Sequence, residues 1–115
     1  MPPTLGDRLV HILEAIDYIQ TLLEGKTITT ISRNRTLRLA IERSFEIICE
    51  AAKHVPDQVK ERESAIDWSE MNALGNLLRH AYHRVDISRL ADIAAVDLPP
   101  LKAFVERVIE DEKNK

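Results

Sequence analysis

Residues 67–86 read DWSEMNALGNLLRHAYHRVD, a stretch with no proline and a single glycine. At about 100° per residue, Met71, Leu74, Leu78, Ala81 and Val85 fall on one stripe, at i, i+3, i+7, i+10 and i+14. That stripe is a core face, and the spacing predicts one helix over the whole stretch. Roughly opposite lie Asn72, Asn76, Arg79, His80 and His83, so the polar side carries two amides, a guanidinium and two imidazoles where Glu and Lys are usual. Asp67 with Glu70 three residues on has the form of a capping box, and Asp86 offers an N-cap to a following helix. A polar face of this makeup marks the stretch as the candidate site of function.

The flanking sequence repeats the helical pattern. Over residues 5–24, Leu9, Ile12, Leu13, Ile16, Ile19 and Leu23 recur at helical spacing behind Pro2, Pro3 and Thr4, and Gly25 ends the run. Residues 26–32 are rich in Thr and Ile, whose β-branching lowers helix propensity, and they read as a connection. From about residue 34 to 54, Leu37, Ile41, Phe45, Ile48 and Ala52 give a second long helix that Pro56 closes. A helical turn or two and a polar loop then lead to residue 67. Residues 87–96 give a short helix with Leu90, Ile93 and Ala94 inward, and Pro99 and Pro100 launch a last one carrying Leu101, Phe104, Val105, Val108 and Ile109. The final residues, DEKNK, read as a frayed tail.

No segment alternates like a strand, and the class is all-α: an up-and-down helical bundle of about five helices in one domain over residues 1–115. A composition of 44% hydrophobic and 30% charged residues suits a folded globular domain. The lone Cys49 has no partner for an internal disulfide, no run is apolar enough to span a membrane, and no signal segment is seen; a cytoplasmic protein is expected. A net charge of −3 argues against non-specific coating of nucleic acid. Contact with nucleic acid would need a local patch.

Several chemistries compete on these residues. His80 and His83 could share a metal, but two helical ligands need further ones and metalloprotease spacing is absent, so no metal site is expected. Glu42, Glu46 and Glu50 form a row, read as a solvated face or as the acidic partner of nearby arginines; a di-iron bundle would need Glu-x-x-His motifs that the chain lacks. Cys49, beside Ile47 and Ile48, reads as a buried, inert thiol. RNA cleavage without a metal needs a base for the 2′-hydroxyl and a cation for the charged transition state, and His80 with Arg79 or Arg84 could supply both. Tyr82 reads equally well as a phosphate contact or as a half-buried structural residue. Arg33, Arg35 and Arg38 could extend a phosphate track, with Asn72, His83 and Arg84 as further candidates for RNA contact.

Five segments, DRLVHILEAIDYIQ (7–20), LAIERSFEIICEAAKHVPDQVK (39–60), SAIDW (64–68), NLLRHAYHRVD (76–86) and DLPPL (97–101), occur together in one order and spacing. In these the chain resembles HEPN-domain proteins of the HepT-like ribonuclease toxin family. The resemblance implies a homodimeric helical bundle, a metal-independent RNA-cleaving site in the cleft between protomers, and no cofactor. It further implies a cognate MNT-type nucleotidyltransferase antitoxin that silences its partner by transferring AMP to a tyrosine. The family motif is Arg-x4-His-x-Tyr, usually with Asn after the Arg, and Asn76, His80 and Tyr82 match it. On that footing His80 is the acid–base residue, Asn76 a polar positioning group and Tyr82 the AMP acceptor.

Gly75 stands where the motif has Arg. Arg79 is the substitute cation, although on a straight helix it points about 100° from His80, and the two converge on one phosphate only if the helix end distorts or a partner protomer contributes. Gly75 costs ~1 kcal/mol of helix stability relative to Ala and permits a distortion or a close helix crossing. The family tends to have Gly where this chain has Cys49. The alternative to a toxin-like endoribonuclease is a catalytically silent HEPN dimer that binds a partner or a nucleotide.

Overall fold

The computed structural model describes residues 2–115. Among them there is no strand, and seven α-helices and one 3-10 turn carry the chain. The helices are α1 (Leu5–Leu23), α2 (Ile28–Arg33), α3 (Arg35–Lys53), α4 (Asp57–Lys60), α5 (Trp68–His80), α6 (Ile87–Val96) and α7 (Leu98–Lys113), with the 3-10 turn at Tyr82–Arg84 between α5 and α6. The two additions to the expected five are the short α2 and α4. The last helix reaches Lys113, so most of the tail expected to fray is ordered helix.

Local side-chain chemistry sets the helix starts. Thr4 Oγ1 accepts from the Asp7 amide at 3.1 Å while the Thr4 amide donates to Asp7 Oδ2 at 2.9 Å, a complete capping box for α1. Gly25, at φ +70°, takes the left-handed turn that follows. Asn34 caps α3 by accepting from the Leu37 amide at 3.0 Å, and Asp67 and Asp86 cap α5 and α6 through the amides of Glu70 and Ser88. The box expected at Asp67 is only half formed. The Glu70 carboxylate faces Arg89 of α6, at 4.0 Å, instead of returning to the Asp67 backbone.

Residues 26–32 are not a plain connection. Thr27 accepts from the Thr30 amide at 3.1 Å, and Ile31, 1% exposed, sinks into the core where α2 meets α3 and α6. Burial of that one isoleucine, worth about 1.5–3 kcal/mol, overrides the weak propensity of the β-branched run.

The core sits among α1, α3, α6 and α7, where Ile12, Ile16, Ile19, Ile41, Phe45, Leu90, Leu101, Val105 and Val108 are almost fully buried. Helix α3 packs against α1 on one side and α5 on the other, which leaves α5 at the flank of the bundle. Trp68 starts α5 with its ring edge-on to Phe104 of α7, 5.8 Å between centroids, and Lys60 lies over its face. Arg62–Asp111 and Arg107–Glu63 ion pairs tie the loop before α5 to α7. With its start pinned and one face on α3, α5 carries its remaining polar residues into solvent.

Candidate functional site

The stripe read over residues 67–86 does not belong to one helix. Helix α5 ends at His80, and the Ala81 amide closes its last turn on the Leu77 carbonyl at 2.7 Å. Ala81 then leaves helical geometry at φ −148°, ψ 45°, and the 3-10 turn is held by Arg84 to Ala81 and Val85 to Tyr82 backbone bonds. The break lets Val85 and Ile87 reach the core as the chain turns into α6. His83 therefore sits on the turn and not on the polar face of α5 assigned to it by helical projection, and Arg84 lies on the same turn. Met71, Leu74, Leu78 and Val85 still face inward, and Ala81 is half-buried.

Helix α5 runs antiparallel along α3. Ala52 and Lys53 face Trp68 to Asn72, and Cys49 faces Gly75. The two backbones come close at that point: a Cβ on Gly75 would lie 2.8 Å from Cys49 Cβ, closer than real side chains approach. Gly75 is thus the close crossing that its lack of a side chain permits, and an arginine there would have to force the helices apart. Burial pushes the Cys49 thiol up to about 12, against the opposing pull of the Arg79 charge, which fits an inert thiol.

One turn beyond Gly75, the Arg79 side chain folds back along α5, as helical side chains lean toward the N-terminus. Its Nη2 donates to Asn76 Oδ1 at 2.6 Å and its Nη1 to Glu50 Oε2 at 3.4 Å. Nη1 lies 3.9 Å from where a Gly75 Cβ would be, so a cation stands over position 75 although its residue is four places on. Glu50 Oε1 pairs with His54 Nε2 at 3.1 Å. That hydrogen bond, helped by the His54, Lys53 and Arg79 charges, holds the Glu50 carboxyl below the usual carboxylate range. Two of the three carboxylates in the acidic row on α3 pair with arginines, Glu50 with Arg79 and Glu46 with Arg43 at 3.3 Å.

His80, the last residue of α5, is exposed next to this cluster in sequence. Tyr82 is 59% exposed, which removes the half-buried reading, and its ring stands edge-on to His83 with centroids 5.9 Å apart. Asn72 lines a hollow of about 370 Å³ together with Lys53, Lys60, Trp68 and Ser69. Arg33 ends α2, and Arg35 and Arg38 lie in the first turns of α3, roughly 18–22 Å along that helix from Glu50 at ~1.5 Å per residue. The C-terminal end of α5 points toward that half of α3. Among the described residues, no three His, Cys, Asp or Glu side chains gather as metal ligands, and no helix is long and apolar enough to cross a membrane.

Sequence reasoning singled out Asn76 and Arg79, which the structure joins, but not His54, Lys53 or Lys60. The His54–Glu50 pair was readable as an i, i+4 couple on one helix. Lys53, at the end of α3, and Lys60, at the end of α4, show their relation to Asn72 only once the chain is folded.

Comparison with known proteins gives this arrangement a family. The chain is 32% identical over 102 residues to the "Probable ribonuclease HepT" of Thermococcus cleftensis, covering 89% of this chain and 93% of the relative. It is 28% identical over 105 residues to the "Putative RNase TTE0752" of Caldanaerobacter subterraneus subsp. tengcongensis, covering 91% and 94%. With the "Gamma-glutamylcyclotransferase and putative RNase MJ0434" of Methanocaldococcus jannaschii it shares 32% identity over 108 residues; those span 93% of this chain but only 49% of that longer protein. No solved structure matches. A family profile described as "Ribonuclease HepT-like" matches residues 12–108, from the middle of α1 to near the end of α7 and across every residue of the Glu50–Arg79–Asn76 cluster, and the chain therefore belongs to the HepT-like ribonuclease family.

Proposed function

We propose that this chain is a metal-independent endoribonuclease, the toxin of a two-component toxin–antitoxin pair, and that it acts as a homodimer. The observation that carries the reading is the Arg79 guanidinium fixed to Asn76 one residue before an exposed histidine, at a broken helix end. His80 takes the proton from a ribose 2′-hydroxyl, the 2′-oxygen attacks the adjacent phosphorus, and the 5′-oxygen leaves. Arg79 stabilises the extra charge on the phosphoryl oxygens, and Asn76 keeps the guanidinium in place. A single protomer presents this face on an open flank; a two-fold copy of the same face would form the wall of a cleft and bring the partner's His80 to protonate the leaving oxygen. Asn72, His83, Arg84 and the Arg33, Arg35, Arg38 run would track the flanking phosphates, with Lys53 and Lys60 added beside Asn72.

The exposed Tyr82 hydroxyl suits the acceptor of AMP from a cognate nucleotidyltransferase antitoxin. An anionic nucleotide two residues from His80 would repel RNA and fill the groove. A silent, partner-binding HEPN dimer is the second reading, favoured by one observation: the motif arginine is Gly75, and Arg79 already spends part of its charge on Glu50.

Cleavage of RNA by His80→Ala decides between them. We expect a loss of 10²-fold or more, on the order expected for general acid–base groups, with helicity and thermal midpoint unchanged because His80 is exposed. Undiminished cleavage removes His80 from the mechanism, and a wild type that cleaves no RNA supports the silent dimer. Intact mass after incubation with the cognate nucleotidyltransferase and ATP should show one AMP per chain, absent in Tyr82→Phe.

A further inference from the structure

A guanidinium serves a phosphate only if its plane is aimed. Arg79 leaves the last turn of α5 on a long, flexible stem, yet both ends of its fork are held, and from two different helices: Nη2 by Asn76 on its own, Nη1 by Glu50 on α3. Glu50 is held in turn. One carboxylate oxygen faces Arg79 and the other faces His54, 3.1 Å from its Nε2, so the carboxylate spans the gap between an imidazole and a guanidinium. Of the five N–H donors of Arg79, two are engaged and three remain for phosphate oxygens. The bare Cα of Gly75 leaves room for the guanidinium to lie back over the α3–α5 crossing.

We propose that Glu50 is a positioning residue of the site, which touches no substrate and aims Arg79 at the phosphate, with His54 steadying Glu50. The inference rests on the ribonuclease reading above. As a bare surface ion pair, Glu50–Arg79 would matter little. Its weight comes from geometry, since a displacement of about 1 Å in a group serving the transition state can cost on the order of 10²-fold in rate. The Glu50 charge also opposes binding of any phosphate near Arg79. Removing it should therefore leave RNA bound as well or better, and turned over more slowly.

The test uses the full chain with Glu50→Ala, Glu50→Gln, Arg79→Ala and the Glu50→Ala/Arg79→Ala double variant. For Glu50→Ala we expect kcat to fall roughly ten- to a hundredfold with KM unchanged or lower, a split that lost folding would not produce. Glu50→Gln, which keeps an acceptor oxygen, should recover part of the rate. In the double variant the loss should equal that of Arg79→Ala alone, because Glu50 then has nothing to aim. Losses that multiply in the double variant, or a fall in Glu50→Ala confined to a raised KM, overturn the proposal. The Arg79 side-chain NMR signals give a readout free of catalysis: they should report restricted rotation in the wild type and free rotation in Glu50→Ala. If the wild type cleaves no RNA, the ribonuclease reading falls alone and this signal still judges Glu50; a signal indifferent to Glu50→Ala overturns its role.

Discussion

Helix α3 forms two seams, one with α1 and one with α5, and they are built from different materials. Toward α1 stand Ile12, Ile16, Ile19 and Ile41, all shut off from water, large and without polar atoms. Toward α5 the buried Leu74 and Leu78 flank a close approach of Gly75 to Cys49, and the seam opens at its edge into Glu50, Arg79 and Asn76. Burial of large side chains supplies stability on the first seam. On the second, the absence of a side chain brings two helices close enough for a carboxylate on one to hold a guanidinium on the other. The core thus secures α3, and α3 in turn sets where the polar residues of α5 can act.

The sharpest way to break this contrast is to remove apolar volume from the first seam. Ile16→Ala should cost about 2–5 kcal/mol in urea unfolding, through lost burial and the cavity left behind. A loss below 1 kcal/mol would mean that the α1 seam is not where the stability lies. Adding volume to the second seam is the next largest change. Gly75→Ala is favoured by helix propensity by ~1 kcal/mol, yet its new Cβ meets Cys49 Cβ at 2.8 Å. Overpacking of roughly 1–3 kcal/mol should win, lowering the thermal midpoint, and Cys49→Gly in the same chain should relieve it. A Gly75→Ala variant more stable than the wild type would show the crossing to be loose.

The smallest effect belongs to Glu50. Its folded carboxyl titrates below the usual range, so the unfolded chain binds the proton more readily, and the stability it contributes is present above about pH 4.3 and is lost as pH falls through the lower folded value. Because the side chain is 46% exposed, that contribution should be only a few tenths of a kcal/mol. The stability difference between wild type and Glu50→Gln, followed by urea unfolding from pH 7 downward, should hold to about pH 4.3 and then shrink. A difference that grows in acid would contradict the arrangement.

What could be read from the chain follows the range of the interactions. The caps at Asp67 and Asp86 were legible because a short polar side chain closes on an amide two or three residues away. The Arg79–Asn76 contact was legible as a spacing on one helix. The break at Ala81 was not, for neither proline nor glycine marks it and the periodicity runs on past it; it is imposed by the need to turn Val85 and Ile87 inward. Helix α2 was hidden for the opposite reason, a β-branched run made helical by the distant partners of Ile31. The Glu50–Arg79 bond depends on the register between two helices, which no local pattern encodes.

The Cys49 thiol bears on how two copies of the chain could be joined. It is the only cysteine here, 4% exposed beneath α5, and with its proton held to about 12 almost none of it is thiolate at neutral pH. Attack on an oxidant or a disulfide requires the thiolate and an open path to it, and this sulfur has neither. Oxidising and reducing surroundings should leave the folded chain alike, and any pairing of protomers must be made by complementary surfaces, reversible and set by concentration, with no covalent bond to fix it.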